Sequence, residues 1–322
     1  MDILIQALIL IGGLILILLG ANYLVDGSSS IAKKFGLSEF VIGLTIVGIG
    51  TSSPEMVVSF MSAIQGKAEM AIGNVVGSNI FNTLIILGIT ALISPLTITK
   101  SNIRKDIPVN FFVTILLLLL GMNFSIFKVG ENVISRFDGI ILLAVFAWYL
   151  WSSFKSDSGD ETAAEGEEIK TRNIPVSVLM IAGGLGALVF GGRLFVNSAT
   201  ALAQMFVVSD KFIAITVMAA GTSMPELATC AVAALKGRGQ LALGNILGSN
   251  IGNILLILGG SALIHPLSFS GMTIVDIIAV AICPIFIYLC AFLFRKKEID
   301  RAEGIIFLLT EAAYMWYLIA NL

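Results

Sequence analysis

GTSSPE at residues 50–55 and GNVVGSNIFN at residues 73–82 occur a second time in this chain, as GTSMPE at 221–226 and GNILGSNIGN at 244–253. Residues 50–96 align with 221–267 without a gap, at a shift of 171, and 24 of the 47 positions are identical. Apolar composition alone cannot place Gly, Asn, Ser, Pro and Glu at matching positions. The chain therefore contains two related halves.

The composition indicates a membrane protein. Hydrophobic residues make up 57% of the 322 residues and charged residues only 12%, against roughly 25% charged in soluble domains. A membrane helix needs about 20 mostly apolar residues. Ten windows meet this description: 4–25, 40–65, 71–93, 107–122, 138–153, 175–197, 211–235, 241–264, 273–294 and 303–320.

The predicted fold is an all-α membrane protein of ten transmembrane helices, built as two five-helix repeats. Because five is an odd number, the second half must enter the membrane from the opposite side. The repeats are then inverted, an arrangement that in transporters places substrate sites at mid-membrane where the halves meet. A receptor or scaffold does not need this symmetry, whereas alternating access does.

The loop charges predict the orientation in a cell membrane. Loops after odd-numbered windows carry fourteen Lys and Arg, and loops after even-numbered windows carry five, so both termini are expected outside. We divide the chain into a first repeat (1–153), a linker (154–174) and a second repeat (175–322). The linker holds six acids and three bases and is expected to be a cytoplasmic, solvated connection. Its acids lack the spacing of an EF-hand loop.

Two acids lie near the middle of predicted windows, Glu55 in the second and Glu226 in the seventh. A carboxylate at that depth costs roughly 2.5–3.5 kcal/mol on insertion scales, so it should face the protein interior and meet a cation, a proton or a polar partner. Matched positions in two inverted repeats should bring the acids together. Like charges resist joint ionisation, and a divalent cation between them would neutralise both.

The residues around these acids supply further oxygen ligands. Pro54 and Pro225 remove one helical hydrogen bond each, and the resulting unwinding should turn nearby carbonyls, including those of Thr51 and Thr222, toward a cavity. Helical spacing aligns further hydroxyl and amide groups with the site. This second set is Ser52, Ser78, Asn82, Ser223, Ser249 and Asn253. Hard cations such as Ca²⁺ take six to eight oxygen ligands. A packing seam of small residues with bonded Asn74 and Asn245 is the alternative interpretation.

The paired GTS-x-PE and GN-x-x-GSN-x-x-N blocks resemble the two α-repeats of the calcium/cation antiporter superfamily, and in particular its prokaryotic-type sodium/calcium exchangers. The resemblance covers essentially the whole chain. It implies that spans two, three, seven and eight form the core, against which the long spans one and six slide. It also implies a calcium site at the side chains of Glu55 and Glu226 with the carbonyls of Thr51 and Thr222. The sodium sites it implies lie at Gly48, Ser52, Ser78, Ala219, Ser223 and Ser249, with Asn82 and Asn253 lining the middle.

One position departs from the family pattern. Many sodium/calcium exchangers carry Asp where this chain has Asn253. Two carboxylates balance one Ca²⁺, whereas three Na⁺ would leave one positive charge uncompensated in a low dielectric. Three-for-one stoichiometry is therefore in doubt, and exchange of Ca²⁺ for H⁺ through the same glutamates stays open beside exchange for Na⁺. A cation channel is a third reading, which the repeat disfavours.

Other sequence features limit the possible functions. The single His265, the isolated cysteines and the lack of a phosphate-binding loop give no sign of an enzyme, an ATP-driven pump or a resident cofactor. A net charge of −2 gives no case for a nucleic-acid partner. The sequence leaves the oligomeric state open, a monomer included. Glu311 lies deep in the last window without an equivalent acid in the first half, which favours a packing or proton-linked role over the transport site.

Overall fold

A computed structural model describes residues 2–122, 125, 131–156, 171–205, 219–292 and 298–320. The described residues are nearly all helical. The helices are α1 (Asp2–Phe35), α2 (Glu39–Thr51), α3 (Ser53–Ile64), α4 (Ala68–Ile93), α5 (Ile107–Gly121), α6 (Arg136–Ser156), α7 (Ile174–Met205), α8 (Ala219–Thr222), α9 (Met224–Leu235), α10 (Gly239–Ile264), α11 (Ile274–Phe292) and α12 (Arg301–Ala320). Four two-residue strands are β1 (Leu96–Thr97), β2 (Val133–Ile134), β3 (Leu267–Ser268) and β4 (Glu298–Ile299).

Seven of the described helices are long and apolar enough to cross a membrane, and the bent pair of α2 and α3 makes an eighth if it counts as one span. The predicted window 107–122 holds α5, whose 15 residues directly continue a π-helical turn at Asn102–Asp106. The window 211–235 holds α8 and α9, and its first part lies outside the described residues. Most of the predicted linker also lies outside them.

The helices differ in how far they are covered. The most apolar windows of α4 and α10 are 67% and 94% buried, against 17% for α1 and 22% for α7. Helices α4 and α10 are therefore central, and α1 and α7 lie on the outside. This agrees with the sequence, since the two central helices carry the Asn- and Ser-rich motifs and have a lower mean hydropathy than the two outer helices.

Helices α1 and α7 form one closely packed antiparallel pair. A Cβ built on Gly13 would lie 2.9 Å from the carbonyl oxygen of Gly191, and one on Gly20 would lie 2.8 Å from that of Gly184. Glycines at intervals of seven thus let the two backbones touch. We call this contact the glycine seam. Both helices are longer than the predicted windows. Helix α1 continues to Phe35 through buried Ser28, Ser29 and Ser30, and α7 continues to Met205.

Ion pairs tie α1 and the start of α2 to the loop between α9 and α10. The Lys236 ammonium lies 2.6 Å from the Asp26 carboxylate, and the Arg238 guanidinium lies 2.7 Å from Glu39 at the start of α2. That loop turns at Gly237, whose φ of 69° favours glycine. At the repeat-equivalent positions of the Lys236–Asp26 pair the chain has Gln65 and Asn197, which cannot form an ion pair.

Contacts between the outer elements also come in equivalent sets. Strand β1 pairs with β4 and β2 pairs with β3, so each ribbon joins the first half of the chain to the second. Within each half, a tyrosine hydroxyl donates to an aspartate on a neighbouring helical segment: Tyr149 to Asp106 at 3.0 Å and Tyr314 to Asp276 at 2.7 Å. The repeat therefore extends beyond the motifs that reveal it in the sequence.

Candidate ion-binding site

Both glutamates lie just after a break in a helix. Helix α2 ends at Thr51 and α3 begins at Ser53, with a bend of 49° between them. Helix α8 ends at Thr222 and α9 begins at Met224. Ser52 and Ser223, at the two breaks, have ψ values of 10° and 7°, outside the helical range. The breaks fall where a proline follows two residues later, because that proline removes a helical hydrogen bond.

The acids are buried and each is held by the other half of the chain. Glu55 and Glu226 are both 1% exposed. The Ser223 hydroxyl donates to Glu55 Oε1 at 3.0 Å, and the Ser52 hydroxyl donates to Glu226 Oε1 at 3.0 Å. The two bonds are repeat-equivalent, since 52 and 55 become 223 and 226 at the shift of 171. The structure therefore brings the two predicted acids and the two predicted serines into one cluster.

Helices α4 and α10 line the cluster from the other side. The Ser78 hydroxyl lies 3.4 Å from Glu55 Oε1, and the Ser249 hydroxyl donates to the Gly48 carbonyl at 3.3 Å. Asn82 and Asn253 each begin a π-helical turn. Such turns occur often at functional sites, and the apolar pattern of the sequence does not predict them.

Asn79 and Asn250, which are not among the predicted ligands, join the two halves at the centre. Asn79 and Asn250 are repeat equivalents of each other, and the Asn79 side-chain amide donates to the Asn250 backbone carbonyl at 3.1 Å. Asn82 Nδ2 donates to Asn250 Oδ1 at 3.2 Å, and Asn253 Nδ2 donates to Asn79 Oδ1 at 3.0 Å. The signal was present in the repeated GSN triplet, whose final asparagine occurs in both halves.

Four buried oxygens of this cluster have no hydrogen-bond partner among the described residues. They are Oε2 of Glu55, Oε2 of Glu226, Oδ1 of Asn82 and Oδ1 of Asn253. A buried acceptor without a donor costs about 1–3 kcal/mol, and more if it is charged. Four acceptors of the types that bind hard cations, two of them carboxylate oxygens, fit a cation better than they fit empty packing.

The remaining predicted ligands occupy the edges of the cluster. The Thr51 hydroxyl points to Asn245 Oδ1 at 3.2 Å, so this side chain has a protein partner. Thr222 ends α8. Ala219 begins α8, and its side chain lies outside the described residues. Gly48 borders a small cleft that Ser52 and Ser249 also line, together with apolar residues such as Met56 and Leu256.

Asn74 and Asn245 brace the broken helices from α4 and α10. Asn74 Nδ2 donates to the Glu55 carbonyl at 3.2 Å and to the Ser59 hydroxyl at 3.0 Å. Asn245 Nδ2 contacts the Cys230 sulfur at 3.2 Å. Their amide groups are thus engaged in holding α3 and α9 against the central helices. They act as structural supports beside the cluster.

Glycine brings the central helix α10 against α2. A Cβ on Gly248 would collide with the Leu44 carbonyl, and one on Gly244 would collide with the Phe40 carbonyl. Only a residue without a side chain allows this approach. The approach sets the position of Ser249, directly after Gly248, beside the Gly48 carbonyl at the edge of the cluster.

The charge of the cluster limits what it can hold. Among the described residues there is no group of three or more His, Cys, Asp or Glu suited to a metal. The cluster instead combines two carboxylates with neutral hydroxyl, amide and carbonyl oxygens. This set suits hard cations and offers neither the thiolate nor the imidazole ligands of transition-metal centres.

A family model described as sodium/calcium exchanger protein matches residues 5–155 and again residues 176–320. The chain belongs to the sodium/calcium exchanger family. Members of this family are multi-pass membrane proteins that exchange cations, and the resemblance inferred from the motifs is confirmed. The two matched segments also divide the chain close to the predicted repeats.

Exchangers and antiporters from several organisms resemble this family member along nearly its whole length. The sodium/calcium exchanger MaX1 of Methanosarcina acetivorans is 34% identical, covering 96% of this chain and 97% of its own. The putative antiporter CaxA of Alkalimonas amylolytica is 33% identical, covering 99% and 100%. A solved structure of the sodium–calcium exchanger NCX_Mj, soaked with zero Na⁺ and Ca²⁺, superimposes with a TM-score of 0.83 at 31% identity, covering 99% of this chain and 100% of that one.

Proposed function

We propose that this protein exchanges Ca²⁺ for Na⁺ across the cell membrane by alternating access, with both ions taken as substrates at the cluster around Glu55 and Glu226. The observation that carries the proposal is the set of four buried oxygens without partners among the described residues. Membership of the sodium/calcium exchanger family supports it. The protein would act as a transporter rather than an enzyme and would need no resident cofactor.

The proposed architecture is ten membrane spans in two inverted five-helix repeats, residues 1–153 and 175–322, with 154–174 as a cytoplasmic linker and both termini outside. The reciprocal bonds between Ser52 and Glu226 and between Ser223 and Glu55 support this arrangement. A two-fold axis between the repeats requires that each contact between the halves occurs twice, with equivalent residues in the reversed roles. The excess of Lys and Arg in loops after odd-numbered spans supports the orientation.

Each part of the cluster has a proposed role. The Glu55 and Glu226 carboxylates bind Ca²⁺, assisted by the carbonyls of Thr51 and Thr222. Neutral oxygens flank them and suit Na⁺; these sodium ligands are Gly48, Ser52, Ser78, Ala219, Ser223 and Ser249. The Asn82 and Asn253 side chains line the middle through their unpartnered Oδ1 atoms. The glycine-seam pair α1 and α7 would move as a unit against the central helices.

Calcium-45 uptake into proteoliposomes tests the proposal directly. In proteoliposomes of the purified protein, a higher sodium concentration inside than outside, at equal pH, should drive calcium uptake. A lower pH inside than outside, in sodium-free medium, should not. The second candidate is Ca²⁺/H⁺ exchange, which the presence of only two carboxylates keeps open. Uptake driven by the pH gradient and not by sodium would replace the first candidate with the second. Currents above carrier rates would instead indicate a channel.

We expect Asn253→Asp to change the coupling to sodium. The substitution adds a third negative charge beside the two glutamates and removes the donor that Asn253 gives to Asn79 Oδ1. A third charge would compensate a third Na⁺, so the dependence of calcium uptake on sodium concentration should become steeper. Asn82→Asp adds the same charge at the equivalent position of the other half, so it should have a similar effect. Sodium dependence identical to that of the unmodified protein would show that Asn253 lies outside the ion path.

A further inference from the structure

Glu311 is a buried acid that the proposed exchange mechanism does not use. It lies in α12, it is 5% exposed, and its Oε2 has no hydrogen-bond partner among the described residues. An ionised carboxylate is costly in such a place, so a buried membrane acid needs a cation, a proton or a polar partner. Glu311 therefore differs from an acid at the protein surface, where water would solvate it.

Among the described residues, no cation faces Glu311 from the helices packed against α12. The part of α4 that packs on it, residues 82–93, contains no ionisable side chain. Helix α11 contributes Cys283 and Asp276, and α12 itself contributes Tyr314, whose hydroxyl is donated to Asp276. These neighbours add negative or neutral groups only. A proton is thus the simplest partner, because a metal would require several more oxygen ligands.

A line of polar side chains connects Glu311 to the centre of the ion-binding cluster. The Cys283 thiol is buried in α11, which packs against the segment of α4 that carries Thr83, and Thr83 and Glu311 are its polar neighbours. The Thr83 hydroxyl accepts a bond of 3.0 Å from Asn250 Nδ2. Asn250 in turn accepts from Asn82, whose Oδ1 is one of the four unpartnered oxygens. Thiol and hydroxyl groups both donate and accept hydrogen bonds, so this line can respond to a charge at Glu311.

The repeat shows that the fold does not need this polar line. Residues 136–149 align with 301–314 at a shift of 165, which pairs Tyr149 with Tyr314 and places Phe146 opposite Glu311. The aspartates that these tyrosines contact, Asp106 and Asp276, are 170 residues apart, and the same shift places Val113 opposite Cys283. The shift of 171 that relates the motifs places Ile254 opposite Thr83. These three equivalents, Phe146, Val113 and Ile254, are all buried and apolar. The same packing position is thus filled by Phe, Val and Ile in one case and by Glu, Cys and Thr in the other.

We propose that Glu311 is a proton-binding site separate from the ion-binding cluster, and that Cys283, Thr83 and Asn250 couple its charge to the asparagines of that cluster. The coupling rests on the proposed function, whereas proton binding at Glu311 does not. Loss of the proton places a negative charge at one end of the polar line and favours cations at the other. The protein then senses pH at a point that its transported ions do not occupy.

Infrared difference spectroscopy of the purified protein tests both parts. A pH step in calcium-free medium should give a carboxylic-acid band that disappears in Glu311→Gln and persists in Glu55→Gln. Adding calcium should shift that band in the unmodified protein. In Thr83→Ile the pH-induced band should remain and its shift with calcium should be lost. The triple variant Thr83→Ile, Cys283→Val, Glu311→Phe copies the packing of the other half, so it should fold and lack the band.

The outcomes separate the two proposals. Spectra of Glu311→Gln identical to those of the unmodified protein would overturn the proton site, whatever the protein transports. A Glu311 band unaffected by calcium, in protein that transports calcium, would overturn the coupling alone. Absence of calcium transport with the Glu311 band intact would reject the exchange function and leave the proton site. In transport assays, the logarithm of the apparent calcium affinity plotted against pH should have a slope that is smaller in Glu311→Gln, by up to about one, because one fewer proton is released.

Discussion

Glu55→Gln and Glu226→Gln should each abolish calcium uptake while leaving the protein folded. Glutamine keeps an oxygen that can accept the bond from Ser223 or Ser52, so the local hydrogen bonds survive. It removes one of only two negative charges available to neutralise Ca²⁺. Changes that merely reorient a metal ligand cost about 10–100-fold in affinity, so loss of a ligand charge should cost roughly 100-fold or more.

The measurement is calcium-45 uptake into proteoliposomes at several calcium concentrations, with thermal unfolding in detergent as the test of folding. Glu131→Gln is the matched control, because Glu131 is an exposed acid outside the cluster; its uptake should equal that of the unmodified protein. Near-normal uptake by either cluster variant would contradict the site. Equal losses in both would support equivalent roles for the two repeats.

Gly20→Leu should separate the two outer helices and unfold the protein at a much lower temperature. A side chain on Gly20 meets the Gly184 carbonyl oxygen and the Leu188 backbone nitrogen within 2.9 Å, and neither atom can move without moving α7. Forcing extra carbons into a packed contact costs about 1–3 kcal/mol and sometimes more. We expect about 3 kcal/mol here, because the contact is between two backbones.

Gly12→Leu gives the matched control on the same helix. Gly12 is exposed, and no described atom lies within 4 Å of a Cβ built there. Both substitutions gain the same helix propensity over glycine, so their difference isolates the seam. Thermal unfolding followed by tryptophan fluorescence should place Gly12→Leu beside the unmodified protein and Gly20→Leu well below it. Equal melting temperatures would show that the seam contributes little to stability.

The sequence was sufficient to predict the helical membrane fold and the residues that would meet. Glu55, Glu226, Ser52 and Ser223 could be identified because polar residues are rare in apolar windows and because the motif occurs twice. Equivalent positions in a repeat converge, so each acid implied its partner. The helix breaks followed from proline chemistry alone. These inferences needed no knowledge of how the remaining helices pack.

Other features depended on three-dimensional packing. Asn79 and Asn250 were passed over because a sequence shows that both halves contain an asparagine and not that these two touch. The tyrosine–aspartate bonds join segments more than 35 residues apart in the chain, and helical periodicity carries no information on such pairs. The extension of α1 to Phe35 was missed because hydropathy measures the lipid-facing part of a helix and not its whole length.

The glycine seam has the geometry of an interface between two copies of one molecule. Gly13 touches Gly191 and Gly20 touches Gly184, while Gly13 corresponds to Gly184 and Gly20 to Gly191. A contact in which residue i meets j and j meets i is isologous, as in a symmetric dimer. Once both copies reside on one chain, each can diverge without altering the other. Asp26 and Lys236 therefore form an ion pair, whereas their repeat equivalents Asn197 and Gln65 are uncharged. Equivalent positions of the two halves have thus acquired different chemistry.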